Sequence, residues 1–175
     1  MWLLWTHLLP LPSGSLTMQN INTCLWFESA ALDAATHYTQ LFPNSRITEI
    51  TRLPEGGPGP AGSVMAVSFV LDGVQHLALN GARSNGFTTA VSLMAHTDSQ
   101  AETDRLWDGL LDGGGKPSQC GWLTDRFGVS WQIAPRGLIQ LLASGDRAKS
   151  QRAFAAMKTM TKLDLPAMQR AFDGV

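Results

Sequence analysis

Hydrophobic and polar positions change their spacing several times along the chain, and each spacing predicts an element. Alternation over residues 65–71 predicts a strand that is covered on both faces. Over residues 31–42 the apolar positions instead recur every third or fourth residue, which predicts an amphipathic helix. Shorter apolar runs predict further strands at 22–27, 46–53, 74–79, 91–96, 118–123 and 129–134.

Polar residues and glycines mark where the predicted elements begin and end. Ser29 is placed to cap the first helix, and Ser99 with Glu102 forms a capping box at the start of a second helix. The glycines at 113–115 end that second helix. Residues 125–128 predict a hairpin turn, because Asp can bond its own backbone and glycine accepts positive φ.

The two halves of the chain repeat one another. A shift of 55 positions aligns Gly73 with Gly128 in two predicted hairpins, and a shift of 69 aligns Tyr38 with Trp107 in the two helices. The offsets differ by 14 residues, which the shorter middle of the second half accounts for. The repeat predicts a duplicated module of one strand, one helix and further strands.

These elements divide the chain into three parts. Residues 1–17 form an apolar leader broken by prolines, which we interpret as a disordered extension or an upstream start. A secretion signal and a small hydrophobic docking arm are the alternatives for this leader. Residues 136–175 predict a helical extension. The part between them, 18–135, is predicted to be one domain made of two modules, 18–81 and 90–135.

Charge and cysteine content exclude several classes of partner. The chain has 13 Lys and Arg against 14 Asp and Glu and contains no basic run, so we expect neither nucleic acid nor an anionic membrane as a partner. No apolar run reaches the roughly 20 residues of a membrane span. Cys24 and Cys120 make no disulfide framework, so we expect free thiols in a cytoplasmic protein.

Five segments carry a resemblance to a known family: 24–27, 41–46, 57–63, 78–81 and 120–135. Through them the chain closely resembles the PhnB-like group, often named 3-demethylubiquinone-9 3-methyltransferase. This group lies within the vicinal oxygen chelate superfamily, which includes glyoxalase I and bleomycin-resistance proteins. The resemblance spans the chain from about residue 21 to the last helix. It implies an α+β fold of paired βαβββ modules, a cavity between curved sheets and a homodimer.

Enzymes of this superfamily hold a divalent metal with His, Glu or Gln on the opening and closing strands. Only alternate residues of a strand project into one cavity. One glutamine with at most one histidine or thiol does not supply the three or four ligands that zinc or iron needs. We therefore predict no metal and no other cofactor. The positions considered on these strands are Asn22, Cys24, Trp26, Leu77, Ser92, Met94, His96 and Gln132.

The family name suggests methyl transfer, which the glycines of this chain do not support. A methyl-donor nucleotide is generally held by a glycine-rich turn between a strand and a helix. The glycines at 56–62 lead into a predicted strand, and those at 113–115 end a helix. We therefore assign no catalytic residue from the sequence.

Aromatic and polar side chains on the predicted strands are the better candidates for a binding site. Aromatic rings give rigid contact area, and a few polar groups fix the orientation of a ligand. Trp26 and Trp122 could belong to the pocket or to the core, whereas we expect Trp131 in the core. The predicted pocket residues are Cys24, Trp26, Asn80, Ser92, Cys120, Trp122, Asp125 and Gln132.

Two functions follow from this pocket. The first is the binding of a small hydrophobic or aromatic metabolite, without a metal, in a homodimer. The alternative is a vicinal oxygen chelate enzyme of the isomerase, lyase or dioxygenase type, or the methyltransferase of the family name. In that alternative, the enzyme would either use a divalent metal or carry out acid–base chemistry through Asp125 or Cys120.

Overall fold

Each half of the chain folds into a four-stranded sheet with one helix in the computed structural model, which describes residues 21–81 and 86–175. The first half contains β1 Thr23–Phe27, α1 Ala31–Leu41, β2 Arg46–Arg52, β3 Val64–Leu71 and β4 Val74–Asn80. The second contains β5 Leu93–Thr97, α2 Gln100–Leu111, β6 Lys116–Pro117, β7 Trp122–Thr124 and β8 Ser130–Pro135. The predicted leader, 1–17, lies outside the described residues.

The two sheets have the same topology. Their strand orders are β1-β4-β3-β2 and β5-β8-β7-β6, and in each the opening strand runs parallel to the closing strand. Cys24 pairs with Leu77 in the first sheet, and Met94 pairs with Gln132 at the equivalent position of the second. The α+β fold of paired βαβββ modules is therefore confirmed.

Two local predictions were wrong, and the backbone shows why. The first helix begins without a bond from Ser29; the side-chain oxygen of Asn80 accepts from the Ala31 amide at 2.9 Å instead. The strand predicted at 118–123 is interrupted, since Cys120 and Gly121 have φ of 58° and 81°, outside the extended region.

The capping box of α2 is present. The Glu102 amide donates to the Ser99 hydroxyl at 3.1 Å, and the Glu102 carboxylate accepts from the Asp98 amide at 2.9 Å. The reciprocal bond thus reaches one residue further back than the usual capping box.

The helix-bearing faces of both sheets share one hydrophobic core. Leu25 and Phe27 from β1 lie in the same cluster of buried side chains as Leu123 and Trp131 from the second sheet. Trp131 is therefore in the core, as predicted. The ring of Phe42, just after α1, stacks on Trp131 with centroids 5.2 Å apart.

A buried carboxylate joins the two modules inside this core. Asp125 is 4% exposed and accepts a hydrogen bond from the Tyr38 hydroxyl of α1 at 2.6 Å. It also accepts from the Trp131 indole at 2.9 Å and from the amides of Phe127 and Val129 at 2.9 and 3.0 Å. Four donors compensate for the desolvation of the charge, so this carboxylate holds α1 against the second hairpin.

Three helices follow the second module and pack on it: α3 Arg136–Leu142, α4 Arg147–Met157 and α5 Leu165–Asp173. They bury a small cluster of their own, with Leu141, Ala153, Leu163 and Met168 at its centre. The amides of Cys120 and Gly121 donate to the carbonyls of Met160 and Thr161, each at 2.8 Å. The left-handed turn at 120–121 therefore attaches the helical extension.

Asp125→Asn is expected to lower the free energy of unfolding by about 3 kcal/mol. The amide has one acceptor oxygen where the carboxylate has two, so a donor faces a donor in a buried site. Denaturant unfolding measures the loss. Asp112→Asn is the matched control, because Asp112 forms an exposed ion pair with Arg126 at 3.7 Å and should contribute little. Equal losses in both variants would contradict the role of Asp125.

Gly121→Ala is expected to destabilise the protein and to loosen the helical extension. A Cβ there would lie 2.7 Å from the Ile133 carbonyl oxygen, in addition to the strain of positive φ. Gly62→Ala is the control, since Gly62 has φ of 79° with nothing near its added Cβ. We expect the free energy of unfolding to fall by about 1 kcal/mol in Gly62→Ala and by at least about 2 kcal/mol more in Gly121→Ala. Limited proteolysis should cut the extension only in the Gly121 variant.

Candidate functional site

The first sheet has one face without a helix, which we call open face A. Cys24 and Trp26 of β1 lie on it, and they alternate with Leu25 and Phe27, which are buried on the helix side. Trp26 is 44% exposed. Strand register adds Leu77 and Leu79 of β4 beside Cys24 and Trp26. The part of open face A on β1 and β4 is therefore apolar and aromatic around one thiol, and Ser68 of β3 and Glu49 of β2 continue the same face with polar groups.

The second sheet has the equivalent surface, open face B. Gln132 of β8 lies between Met94 of β5 and Trp122 of β7 in the strand register. The Gln132 side-chain nitrogen donates to the Ser92 hydroxyl at 2.9 Å, which fixes the amide and leaves its carbonyl oxygen as the acceptor it can offer a ligand. Open face B thus combines an aromatic ring and a thioether with an oriented polar pair.

The two open faces point away from one another within one chain. Both helix-bearing faces contribute to a single core, so the opposite faces of the sheets must turn outward. The cavity between curved sheets that the resemblance implies is therefore not formed by the two sheets of one chain. The side chains on one open face cannot close over those on the other within a single copy.

The structure brings five of the eight predicted pocket residues onto these faces: Cys24 and Trp26 on A, and Ser92, Trp122 and Gln132 on B. The other three lie elsewhere. The Asn80 side chain caps α1 and donates to the Val64 carbonyl at 3.1 Å. Asp125 is held by four donors in the core. The Cys120 thiol contacts the Met157 carbonyl at the helical extension.

Gly81 contributes to open face A and is not among the pocket residues that the sequence predicts. The Trp26 indole packs directly on it, and a Cβ at Gly81 would lie 2.9 Å from an indole ring carbon. The absence of a side chain at position 81 therefore sets where this ring rests. The sequence signal was present, since the segment 78–81 is among those that carry the family resemblance.

The equivalent positions of the opening and closing strands are the places where superfamily enzymes hold a metal. Here they carry Cys24, Leu77, Met94 and Gln132: a thiol, an alkyl group, a thioether and an amide. No group of three or more His, Cys, Asp or Glu in the described part of the chain is arranged to hold a metal ion. This donor set does not fit zinc or iron, which need three or four N, O or S ligands.

The Cys24 thiol at the site and the Tyr38 hydroxyl in the core both favour their neutral forms. Desolvation raises the pKa of the Cys24 thiol above its ordinary value, so the thiol stays protonated at neutral pH and is a weak nucleophile. Burial, and then the Asp125 carboxylate, raise the pKa of Tyr38, which keeps its hydroxyl a donor in the core. The arrangement can bind an apolar molecule and orient it through an amide.

None of the helices described, within residues 21–81 and 86–175, has both the length and the apolar character that a membrane span requires.

Comparison with known proteins places residues 19–134 in the family described as 3-demethylubiquinone-9 3-methyltransferase. A PhnB protein from Bacillus cereus with the same description is 33% identical, and the alignment covers 67% of this chain and 99% of that one, with a TM-score of 0.61. Protein PA1353 from Pseudomonas aeruginosa is 24% identical over 67% of this chain and 97% of its own, with a TM-score of 0.57, which shows the shared fold. No protein of curated function matches.

The family match ends at residue 134, just before α3, so the helical extension lies outside it. The match covers both modules and both open faces. The chain therefore belongs to the 3-demethylubiquinone-9 3-methyltransferase family, a PhnB-like group of the vicinal oxygen chelate superfamily.

Proposed function

We propose that this protein binds a small hydrophobic or aromatic metabolite in a cavity that two copies of the chain form together. The observation that carries the proposal is the pair of outward-facing open faces. Each has an aromatic ring and apolar neighbours, and Trp26 and Met94 are 44% and 51% exposed. Monomeric proteins rarely expose large apolar patches without a partner or a ligand.

A homodimer follows from the geometry of the proposal. Open face A of one copy would cover open face B of the other, because the two faces of a single chain point apart. Such a dimer has two equivalent cavities, each enclosed by both copies. Trp26, Leu77 and Leu79 would supply one wall, and Trp122 with the Ser92–Gln132 pair would supply the other.

The chemistry of these walls favours binding over catalysis. The strand positions that hold the metal in superfamily enzymes carry no carboxylate and no imidazole in this chain, and the Cys24 thiol stays protonated. Asp125, the candidate acid or base, is engaged by four donors in the core. The ligand would be held by ring contacts and oriented by the Gln132 carbonyl oxygen.

Trp26→Glu is expected to weaken dimerisation at least about tenfold, because a charge would be buried between the two open faces without a partner. Sedimentation equilibrium measures the association constant. Phe154→Glu is the matched control: Phe154 is 49% exposed on α4 of the helical extension, outside both open faces. A monomeric wild-type protein, or a dimer that Trp26→Glu leaves intact, would contradict the proposal that two copies form the cavity together.

Trp122→Ala is expected to lower the affinity for 1-naphthol, an aromatic probe, about tenfold without changing the unfolding midpoint. Tryptophan quenching measures binding, and Phe154→Ala serves as the control. Unfolding of the Trp122 variant would assign this ring to the core instead.

Elemental analysis of the protein after zinc and manganese supplementation tests the alternative of an enzyme. A stoichiometric metal that Gln132→Ala removes would favour a metal-dependent enzyme.

A further inference from the structure

Open face B ends in a polar groove beside Trp122. Across the second sheet the strand register runs from Met94 through Gln132 to Trp122. The groove has a volume of about 400 Å³, and neither Met94 nor Gln132 lines it, so it lies on the far side of Trp122 from them. Its walls are Thr89, Ser118, Gln119, Trp122, Leu123 and Thr124.

Four of these walls carry uncharged hydrogen-bonding groups. Thr89, Ser118 and Gln119 are exposed, and Thr124 is half-buried. None of the four side chains is hydrogen-bonded to another residue within 21–81 and 86–175. Hydroxyl and amide groups can both donate and accept, so the groove offers a ligand both kinds of bond.

Charged groups are absent from the walls of the groove in the part of the chain that the structure describes. The nearest cation in the strand register is the exposed Lys116, which pairs with Thr124. A single hydrated lysine does not make the forked, charge-assisted contacts that bind phosphate or carboxylate strongly. A neutral group with several hydroxyls can bond to these walls without the cost of desolvating a charge.

The backbone holds these polar groups close to the Trp122 ring. The Trp122 amide donates to the Gln119 carbonyl at 3.1 Å, and its carbonyl accepts from the Ser118 amide at 2.8 Å. The half-buried indole thus stands next to a hydroxyl and an amide on one tight turn. An aromatic surface with a few fixed polar groups suits a sugar ring, whose C–H groups can pack on the indole while its hydroxyls bond to the walls.

We propose that the ligand of the shared cavity is an aromatic compound that bears a neutral, sugar-like hydroxylated group, and that this group binds in the groove beside Trp122. The inference rests on the proposed function, because the aromatic part of the ligand occupies the cavity between the two open faces. Trp122 separates the apolar part of open face B from the groove and contacts both parts of the ligand. The ligand class is therefore that of aromatic glycosides and similar polyol conjugates.

The naphthyl probes 1-naphthol, 1-naphthyl β-glucoside and 1-naphthyl phosphate differ only in the group that would enter the groove. The glucoside should bind the wild-type protein about tenfold more tightly than 1-naphthol, because the groove adds hydrogen bonds to the sugar. The phosphate should bind no more tightly than 1-naphthol, since its charge must be desolvated without a cation in the walls. Isothermal titration calorimetry measures the three affinities.

Gln119→Ala removes the amide from the groove and keeps the backbone bond to Trp122. It should lower the glucoside affinity about three- to tenfold and leave both the 1-naphthol affinity and the unfolding midpoint unchanged. Gln151→Ala is the matched control, because Gln151 is exposed on α4, outside the groove, and should change neither affinity. In a ¹H–¹⁵N correlation spectrum, the Gln119 side-chain amide should shift with the glucoside and not with 1-naphthol.

The outcomes separate this inference from the proposed function. Binding of 1-naphthol that the glucose does not strengthen, or a glucoside affinity that Gln119→Ala leaves intact, would overturn the inference and leave the proposed function standing. Tighter binding of the phosphate than of the glucoside would overturn it in favour of an anionic ligand. No binding of either 1-naphthol or the glucoside would contradict both proposals.

Discussion

The buried carboxylate of Asp125 fixes how the two modules are joined. A charge in a core is tolerated only where donors surround it, and here they come from α1 of the first module and from the hairpin of the second. The Tyr38 hydroxyl makes the shortest of these bonds, at 2.6 Å. Because both modules supply donors to one acceptor, the helix side of each sheet must face the other module.

That constraint decides where ligands can bind. Once the helix sides are buried together, the opposite faces of both sheets turn outward and carry the exposed Trp26 and the half-buried Trp122. A closed cavity over these rings then needs a second copy.

The helical extension is attached by backbone geometry rather than by its own sequence pattern. Cys120 and Gly121 adopt left-handed conformations, which turn their two amides toward the carbonyls of Met160 and Thr161. The Gln100 side chain adds bonds to the carbonyl of Leu163 and the amide of Leu165, each at 3.0 Å. The family match stops before this extension, so the contacts belong to a part that this chain adds to the shared modules.

The sequence by itself determined the repeat, since the aligned glycines and helix faces predicted two modules. The alternation of the first strand also predicted that Cys24 and Trp26 share one face, and Leu25 and Phe27 lie on the other. Local periodicity is enough for that, because it depends only on strand geometry. Only the tertiary structure decided that the Asp125 and Asn80 side chains are hydrogen-bonded within the fold and that the open faces point apart. These outcomes depend on Tyr38 and Ala31, which lie 87 and 49 residues away in the chain and come close only on folding.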